Sequence, residues 1–293
     1  MSTPINIDSK AIFNAYGQAL VLALQANVAA AIAEDLGPAD YTGNLIAEGK
    51  TAQASVIVRE TAVLCGQPWF DEVFKQLDSG GRIQWHFKEG DLMPANAVVC
   101  VIHGHARAML TAERSALNFL QLLSGVATKV RGLAEMVQGT RAKILDTRKT
   151  IPGLRLAQKY AVRIGGGENQ RLALYDGILI KENHIAAAGG IANAMQAAFA
   201  LNAGVSIQVE VESLAELQQA LEAGATSVLL DNFDLQQMRD AVALAGGRAI
   251  LEASGGISES GLRAIAETGV DRISIGDLTK NIRATDYSMR FAA

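Results

Sequence analysis

From Ala11 to Glu34 apolar residues recur on a helical period, and Gly37-Pro38 then stops the run, which predicts a helix near the start of the chain. Beyond it the period shortens. Ala52 to Arg59 (AQASVIVR), Ile83 to Phe87 (IQWHF) and Val98 to Ala106 (VVCVIHGHA) read as strands, with turn signals at Ser79-Gly80-Gly81 and Glu89-Gly90 between them. Strands beside a few helices predict an α+β unit. A long helical stretch follows, from Thr111 to about Gln138, with Thr111 placed to cap its start.

After Arg141 the texture changes. Short apolar runs alternate with helical stretches. The predicted strands are Ala142 to Leu145, Gly177 to Ile180, Ile207 to Val211, Ser227 to Leu230, Ala249 to Glu252 and Arg272 to Ile275. The helices between them are Ile191 to Leu201, Leu214 to Glu222, Leu235 to Ala245 and Glu259 to Glu267, each followed closely by a glycine. This alternation predicts parallel βαβ units. Six such strands fit a (β/α) barrel, complete or open, better than an open sheet, because no GxGxxG fingerprint opens the first unit.

Composition narrows the class. At 293 residues, 49% hydrophobic and 19% charged, the chain is globular and can bury a large core. Lys+Arg 26 against Asp+Glu 30 gives a net charge of −4, which argues against a nucleic-acid partner held by overall positive charge. Cys65 and Cys100 stand far apart with no CxxC, so they read as buried small residues. The most apolar stretch, Ala19 to Ala33, is broken by Gln25 and Asn27 and reads as too short and too polar for a bilayer, which takes about 20 apolar residues. A cytoplasmic protein with no membrane partner is expected.

In a parallel barrel the reactive groups gather where the strands end. Here those ends carry Asp146-Thr147-Arg148-Lys149, Lys181-Glu182-Asn183-His184, Glu210 and Glu212, Asp231-Asn232, Ser254-Gly255-Gly256, and Gly276-Asp277. A single polar strand end is ordinary loop chemistry; six in succession point to a site. Between Arg141 and Lys181 nine bases stand against three acids, a net +6 in a chain of net −4. Arg148, Lys149 and Lys181 therefore predict a strongly anionic small-molecule ligand, with arginine suited to bidentate carboxylate or phosphate contacts. Glu210 and Asp231 on neighbouring strands read as a Mg²⁺ site or as acceptors for sugar hydroxyls, with salt bridges to nearby bases as the plainer alternative. The glycines at Gly255, Gly256 and Gly276 offer bare backbone N–H groups to a phosphate. His103 and His105 read as solvent-facing and His184 as a cap. No HExxH, nucleophile elbow or Cys–His arrangement is visible, so charge placement dominates.

The blocks DTRKTIPGLR (146 to 155), KYAVRIGGGENQR (159 to 171), GILIKENH (177 to 184) and VLLDNF (228 to 233) resemble the quinolinate phosphoribosyltransferase family. EDLGPADYT (34 to 42), ERSALNFLQLLSGVAT (113 to 128), LEASGGI (251 to 257) and GVDRISIGDLTK (269 to 280) extend the likeness from about residue 30 to the end. The resemblance implies an N-terminal α/β sandwich over 1–122, with the tail 282–293 packing on it, and an open (β/α) barrel over 123–281. It implies reaction of quinolinate with 5-phosphoribosyl-1-pyrophosphate to give nicotinate mononucleotide, pyrophosphate and CO₂, with Mg²⁺. Thr147, Arg148, Lys149, Gln170, Arg171 and Lys181 are implied to bind the substrates, with Lys149, Lys181, Glu210 and Asp231 catalytic. Glu210 and Asp231 are implied to hold the metal, directly or through water or ribose hydroxyls. Ser254, Gly255, Gly256 and Gly276 are implied to seat the 5-phosphate, and Ile275 and Asp277 to join in substrate binding. A homodimer, or a higher oligomer, is implied, with Arg114 completing the partner's site.

One residue departs from the family pattern. After GGGxN the family commonly has His-Arg, whereas this chain has Gln170-Arg171. A glutamine donates a neutral hydrogen bond and carries no charge, and charge-assisted bonds are roughly twice as strong. The competing expectations are a same-fold enzyme for another aromatic acid, a Schiff-base aldolase using Lys181, and a non-catalytic phosphosugar-binding relative.

Overall fold

The computed structural model describes residue 5 and residues 7–292. In chain order the strands are β1 (Thr51–Val58), β2 (Ala62–Val63), β3 (Arg82–Trp85), β4 (Leu92–Met93), β5 (Val98–His105), β6 (Lys143–Leu145), β7 (Gly177–Ile180), β8 (Ser206–Val211), β9 (Ser227–Asp231), β10 (Ile250–Ser254), β11 (Arg272–Ser274) and β12 (Tyr287–Phe291). The chain divides into two units, one of Ile5–Arg131, Thr150–Gly166 and the chain from Leu278 onward, the other of Gly132–Lys149 and Gly167–Asp277.

The first unit is built on an antiparallel sheet ordered β12-β1-β5-β3. Along β1, Ala54, Val56 and Val58 are fully buried while alternate residues are not, the period-2 pattern of a strand with one face on the core. Its centre is Trp69, Phe70 and Tyr160, with the Trp69 and Tyr160 rings 5.6 Å apart. Trp69 and Phe70 belong to a helix, Gln67–Leu77, that the hydrophobic pattern did not predict. Gly66 enters it in a left-handed conformation, and the Glu89 carboxyl accepts from the Gly66 and Gln67 N–H groups at 2.7 and 3.1 Å. A carboxyl there meets the helix dipole as well as orphan donors.

Three expectations need correction in this unit. The opening helix is two helices, Ser9–Ala15 and Gly17–Leu36. The second is long and apolar enough, by length and composition, to cross a membrane, so "too short" does not hold. It places Leu20, Leu24 and Val28 in the core, leaves most of its other residues at least partly exposed, and ends on Glu34-Asp35-Leu36. The long helix begins at Ala106 and runs to Met136, so Thr111 sits inside it; its hydroxyl donates to Asp40 at 2.7 Å and bonds back to the Arg107 carbonyl, holding the helix to the 40s loop.

The second unit is the open (β/α) barrel. Its six strands are parallel in the order β6-β11-β10-β9-β8-β7. On one face Val209, Val211, Val228, Leu230, Leu251, Ala253 and Ile273 are buried, the apolar side that takes the surrounding helices. Those helices carry their own apolar stripes, such as Leu217, Ala220 and Leu221 on Leu214–Glu222 and Met238, Ala241 and Ala245 on Leu235–Ala245. No β6–β7 ladder forms among the described residues. Glu168 pairs there as a single bridge, its N–H on the Ile144 carbonyl and its own carbonyl on the Asp146 N–H. The segment after it therefore borders the open edge.

Candidate active site

Register explains why the predicted site residues meet. Paired residues on neighbouring parallel strands share a face, and each strand alternates faces residue by residue. Glu210 pairs with Leu229, Leu229 with Glu252, and Glu252 with Arg272. Two residues further on, Asp231 pairs with Ser254. Ser274 pairs with Leu145, so Gly276 and Thr147 follow on the same parity. Lys181 stands two residues after Leu179, which pairs with Gln208. Thr147, Lys181, Glu210, Asp231, Ser254 and Gly276 thus lie on the face opposite the helix-covered one, at the ends of their strands.

The side chains bear this out. Lys181 Nζ reaches Glu210 Oε2 at 2.9 Å. The plain salt-bridge expectation therefore holds for this pair. Burial pushes the Asp231 carboxyl up, with the Glu210 charge adding to the push, while Lys181, Lys149 and the Asn232 amide pull it down. Two carboxylates and two lysines share this corner, and crowding of like charge is a common mark of a working site. Lys181 itself opens the helix Glu182–Ala188, where its backbone N–H donates to His184 Nδ1 at 3.0 Å. His184 is thus a cap that fixes the turn bearing Lys181.

On the other side the loop after β6 is tied down by a buried carboxylate. Asp146 Oδ1 accepts from the Gln170 N–H at 3.0 Å and Oδ2 from Asn169 Nδ2 at 2.7 Å. The Lys149 N–H donates to Thr147 Oγ1 at 3.1 Å. Arg171 Nη1 donates to the Gly177 carbonyl at 3.0 Å. Burial, and then the neighbouring Arg148, lower the Arg171 pKa, with Asp176 opposing. Arg148 Nε is a buried donor with no hydrogen-bond partner among the described residues. A guanidinium N–H left unmatched beside a second arginine fits an incoming anion.

The glycines have specific reasons. A Cβ at Gly276 would lie 2.9 Å from Lys149 Cδ, so a larger residue there would make the Lys149 side chain shift. Gly255 has a φ of +96° and a Cβ would collide with the Asn232 side chain and backbone. Asn232 N–H in turn donates to the Ser254 carbonyl at 3.0 Å, which joins two strand ends. Ile275 is buried and its N–H donates to the Leu145 carbonyl at 2.9 Å; Asp277 begins the helix Asp277–Lys280. His103 and His105 are exposed as expected, with His105 Nδ1 3.1 Å from Asp78 Oδ1.

Arg114 belongs to the antiparallel unit, exposed on the long helix. Asp146 was legible as a strand-end polar residue, whereas Asn169, Gln208 and Glu252 carried no sequence signal as support for the site. Gln208 and Glu252 stand two positions before Glu210 and Ser254, a parity that register alone makes meaningful.

The chain matches known proteins along nearly its whole length. Residues 40–124 match the quinolinate phosphoribosyl transferase N-terminal domain and residues 126–290 the C-terminal domain. It is 40% identical over 257 residues to a probable nicotinate-nucleotide pyrophosphorylase (carboxylating) of Bacillus subtilis, covering 87% of this chain and 89% of that one. It is also 40% identical over 248 residues to the enzyme of that name from Mycobacterium leprae, covering 82% and 87%. The solved structure of the Francisella tularensis nicotinate-nucleotide pyrophosphorylase superposes with a TM-score of 0.88 at 43% identity over the whole of both chains. With both halves matched and the fold shared, this chain belongs to the quinolinate phosphoribosyl transferase family.

Proposed function

We propose that this chain transfers a 5-phosphoribosyl group from 5-phosphoribosyl-1-pyrophosphate to quinolinate and releases CO₂. The observation that carries it is Arg148, with one buried N–H unmatched, next to Arg171 in a site that also holds Lys181, Glu210 and Asp231. The arrangement offers charge at two adjoining places, and the reaction requires charge placement rather than a side-chain nucleophile. The pyridine nitrogen bonds to ribose C1 while the C1–O bond to pyrophosphate breaks and its electron pair leaves with pyrophosphate. The C2 carboxylate then departs as CO₂, its electron pair stays on C2 beside the cationic nitrogen, and a proton from water completes nicotinate mononucleotide. Both steps are served by fixed charges in a partly dry site.

Arg148, Arg171, Gln170 and Thr147 take the pyridine dicarboxylate, and Lys149 and Lys181 steady the charge that develops. Ser254, Gly255, Gly256 and Gly276 seat the 5-phosphate on backbone N–H groups, and Ile275 and Asp277 join in substrate binding. Glu210 and Asp231 fit a Mg²⁺ ion whose remaining ligands are phosphate, ribose or water oxygens, since Mg²⁺ rarely takes an all-protein cage; among the described residues no third His, Cys, Asp or Glu joins them. When bound, the metal neutralises the departing pyrophosphate. The enzyme acts as a homodimer in which the exposed Arg114 completes the partner's site. A cytoplasmic setting is supported by two buried cysteines that remain free thiols.

The test is an end-point assay with Mg²⁺, phosphoribosyl pyrophosphate and either quinolinate or nicotinate, following nicotinate mononucleotide and labelled CO₂. Product and CO₂ from quinolinate alone are expected. Product from nicotinate, or none from quinolinate by the folded protein, overturns the reading.

A further inference from the structure

A chain of hydrogen bonds runs inward from Gln170 across the barrel unit, and the chemistry outlined above gives no role to its inner links, Gln208 and Glu252. The Arg171 N–H donates to Gln170 Oε1 at 2.7 Å, Gln170 Nε2 donates to Gln208 Oε1 at 2.7 Å, and Gln208 Nε2 donates to Glu252 Oε2 at 3.0 Å. Gln208 is buried and Glu252 completely so. Glu252 Oε1 is buried too, with no hydrogen-bond partner among the described residues. Burying a carboxyl with one oxygen unmatched costs stability, so its place here calls for a reason beyond packing.

The reason lies in the direction of the chain. A glutamine carboxamide has one accepting and one donating end of nearly the same shape, so either can face a given neighbour. Here the Arg171 terminus of the relay is of fixed polarity. Arg171 offers a backbone N–H, which can only donate, and the Glu252 oxygen facing Gln208 accepts. Between them, both carboxamides have one fully matched orientation. An imidazolium at 170 would donate from both ring nitrogens, whereas a glutamine donates from one end only.

We infer that Glu252 and Gln208 are positioning residues for the acid-binding side of the site. They hold the Gln170 carboxamide with its oxygen on the Arg171 amide and its nitrogen inward. Through it they fix the backbone from which the Arg171 side chain projects. The inference rests on the reading that Gln170 and Arg171 receive the pyridine dicarboxylate.

Glu252→Leu removes the terminal acceptor and Gln208→Met cuts the relay one link earlier. Each is expected to raise the KM for quinolinate about tenfold, the equivalent of one lost hydrogen bond, with kcat and the KM for the phosphoribosyl donor within about threefold. Glu252→Gln keeps an oxygen that accepts from Gln208 and should return the quinolinate KM to within about threefold of the parent. A structural role alone predicts a lower Tm at unchanged KM, or equal damage in Glu252→Gln; either result overturns the inference. Amide hydrogen exchange reads the relay without turnover. The Arg171 N–H should exchange about tenfold faster in Gln208→Met than in the parent, and equal exchange overturns the inference even where Glu252→Leu fails to fold. A parent protein that makes no product while its Arg171 amide responds to Gln208→Met refutes the functional reading and leaves the relay standing.

Discussion

The barrel rim and the core of the antiparallel unit both withdraw carboxyl groups from water, and they do it in opposite ways. At the rim, Asp231 and Glu210 sit side by side with Lys181 and Lys149, and Arg148 keeps a buried N–H unmatched. In the core, Glu89 is sealed off and answered at close range by the Gly66 and Gln67 N–H groups. Ser124 nearby bonds both to the Cys65 backbone and to the Tyr287 hydroxyl at 2.8 Å. One cluster leaves capacity for a ligand, and the other is closed upon itself. Between these two clusters, the incomplete partners stand where the sheet ends and the complete ones where a helix is held in the core.

The contrast breaks most visibly at the rim. Arg148→Ala and Lys181→Ala should each lower kcat/KM by about 10²–10³, the usual loss for one preorganised charge contact, while Tm hardly moves. Steady-state kinetics beside thermal melts decides it.

The core cluster should answer to pH instead. Burial pushes the Glu89 carboxyl up to about 7, against the backbone bonds that favour its charge. The folded state then holds a proton that the unfolded chain releases near its ordinary value of 4.5, so this group's contribution to stability is greatest below that value. It falls as pH rises through 4.5 to about 7 and is level above. The total fall is about 3 kcal/mol as an upper bound. Denaturant titrations at a series of pH values should show it in the parent and not in Glu89→Gln.

Gly276→Ala tests whether the rim is as tightly fitted as it is charged. The new methyl displaces Lys149, and kcat/KM should fall about tenfold with little change in Tm. The smallest effect is expected from His184→Ala. Losing the acceptor for the Lys181 N–H should cost about 1 kcal/mol or less in stability and a few-fold in kcat. A larger catalytic loss would place His184 among the reacting groups.

Much of the barrel was legible because its signals are local. All six parallel strands appear where apolar runs predicted them, and the polar residues at their ends meet because parity along a strand is fixed by geometry. Support for the site was harder to read. Gln208 and Glu252 look like ordinary strand polars until register shows which face they occupy. In the other unit the helix Gln67–Leu77 hides behind Gly66 and Pro68, residues that more often mark a loop, and Thr111 resembles a cap while anchoring Asp40 from mid-helix. The β2 and β4 strands are two residues each, too short for any periodicity to register.

The pairing of β12 with β1, in which Val58 faces Tyr287 and Ala54 faces Phe291, sets an order of birth. The ribosome delivers β1 early and its neighbour only after the entire barrel has emerged. During that interval β1 is flanked by β5 alone, with a row of bare backbone donors and acceptors open to any passing strand. The barrel's parallel ladder holds no residue from beyond Asp277 and so can close first, while the sheet that started the chain waits for its last thread.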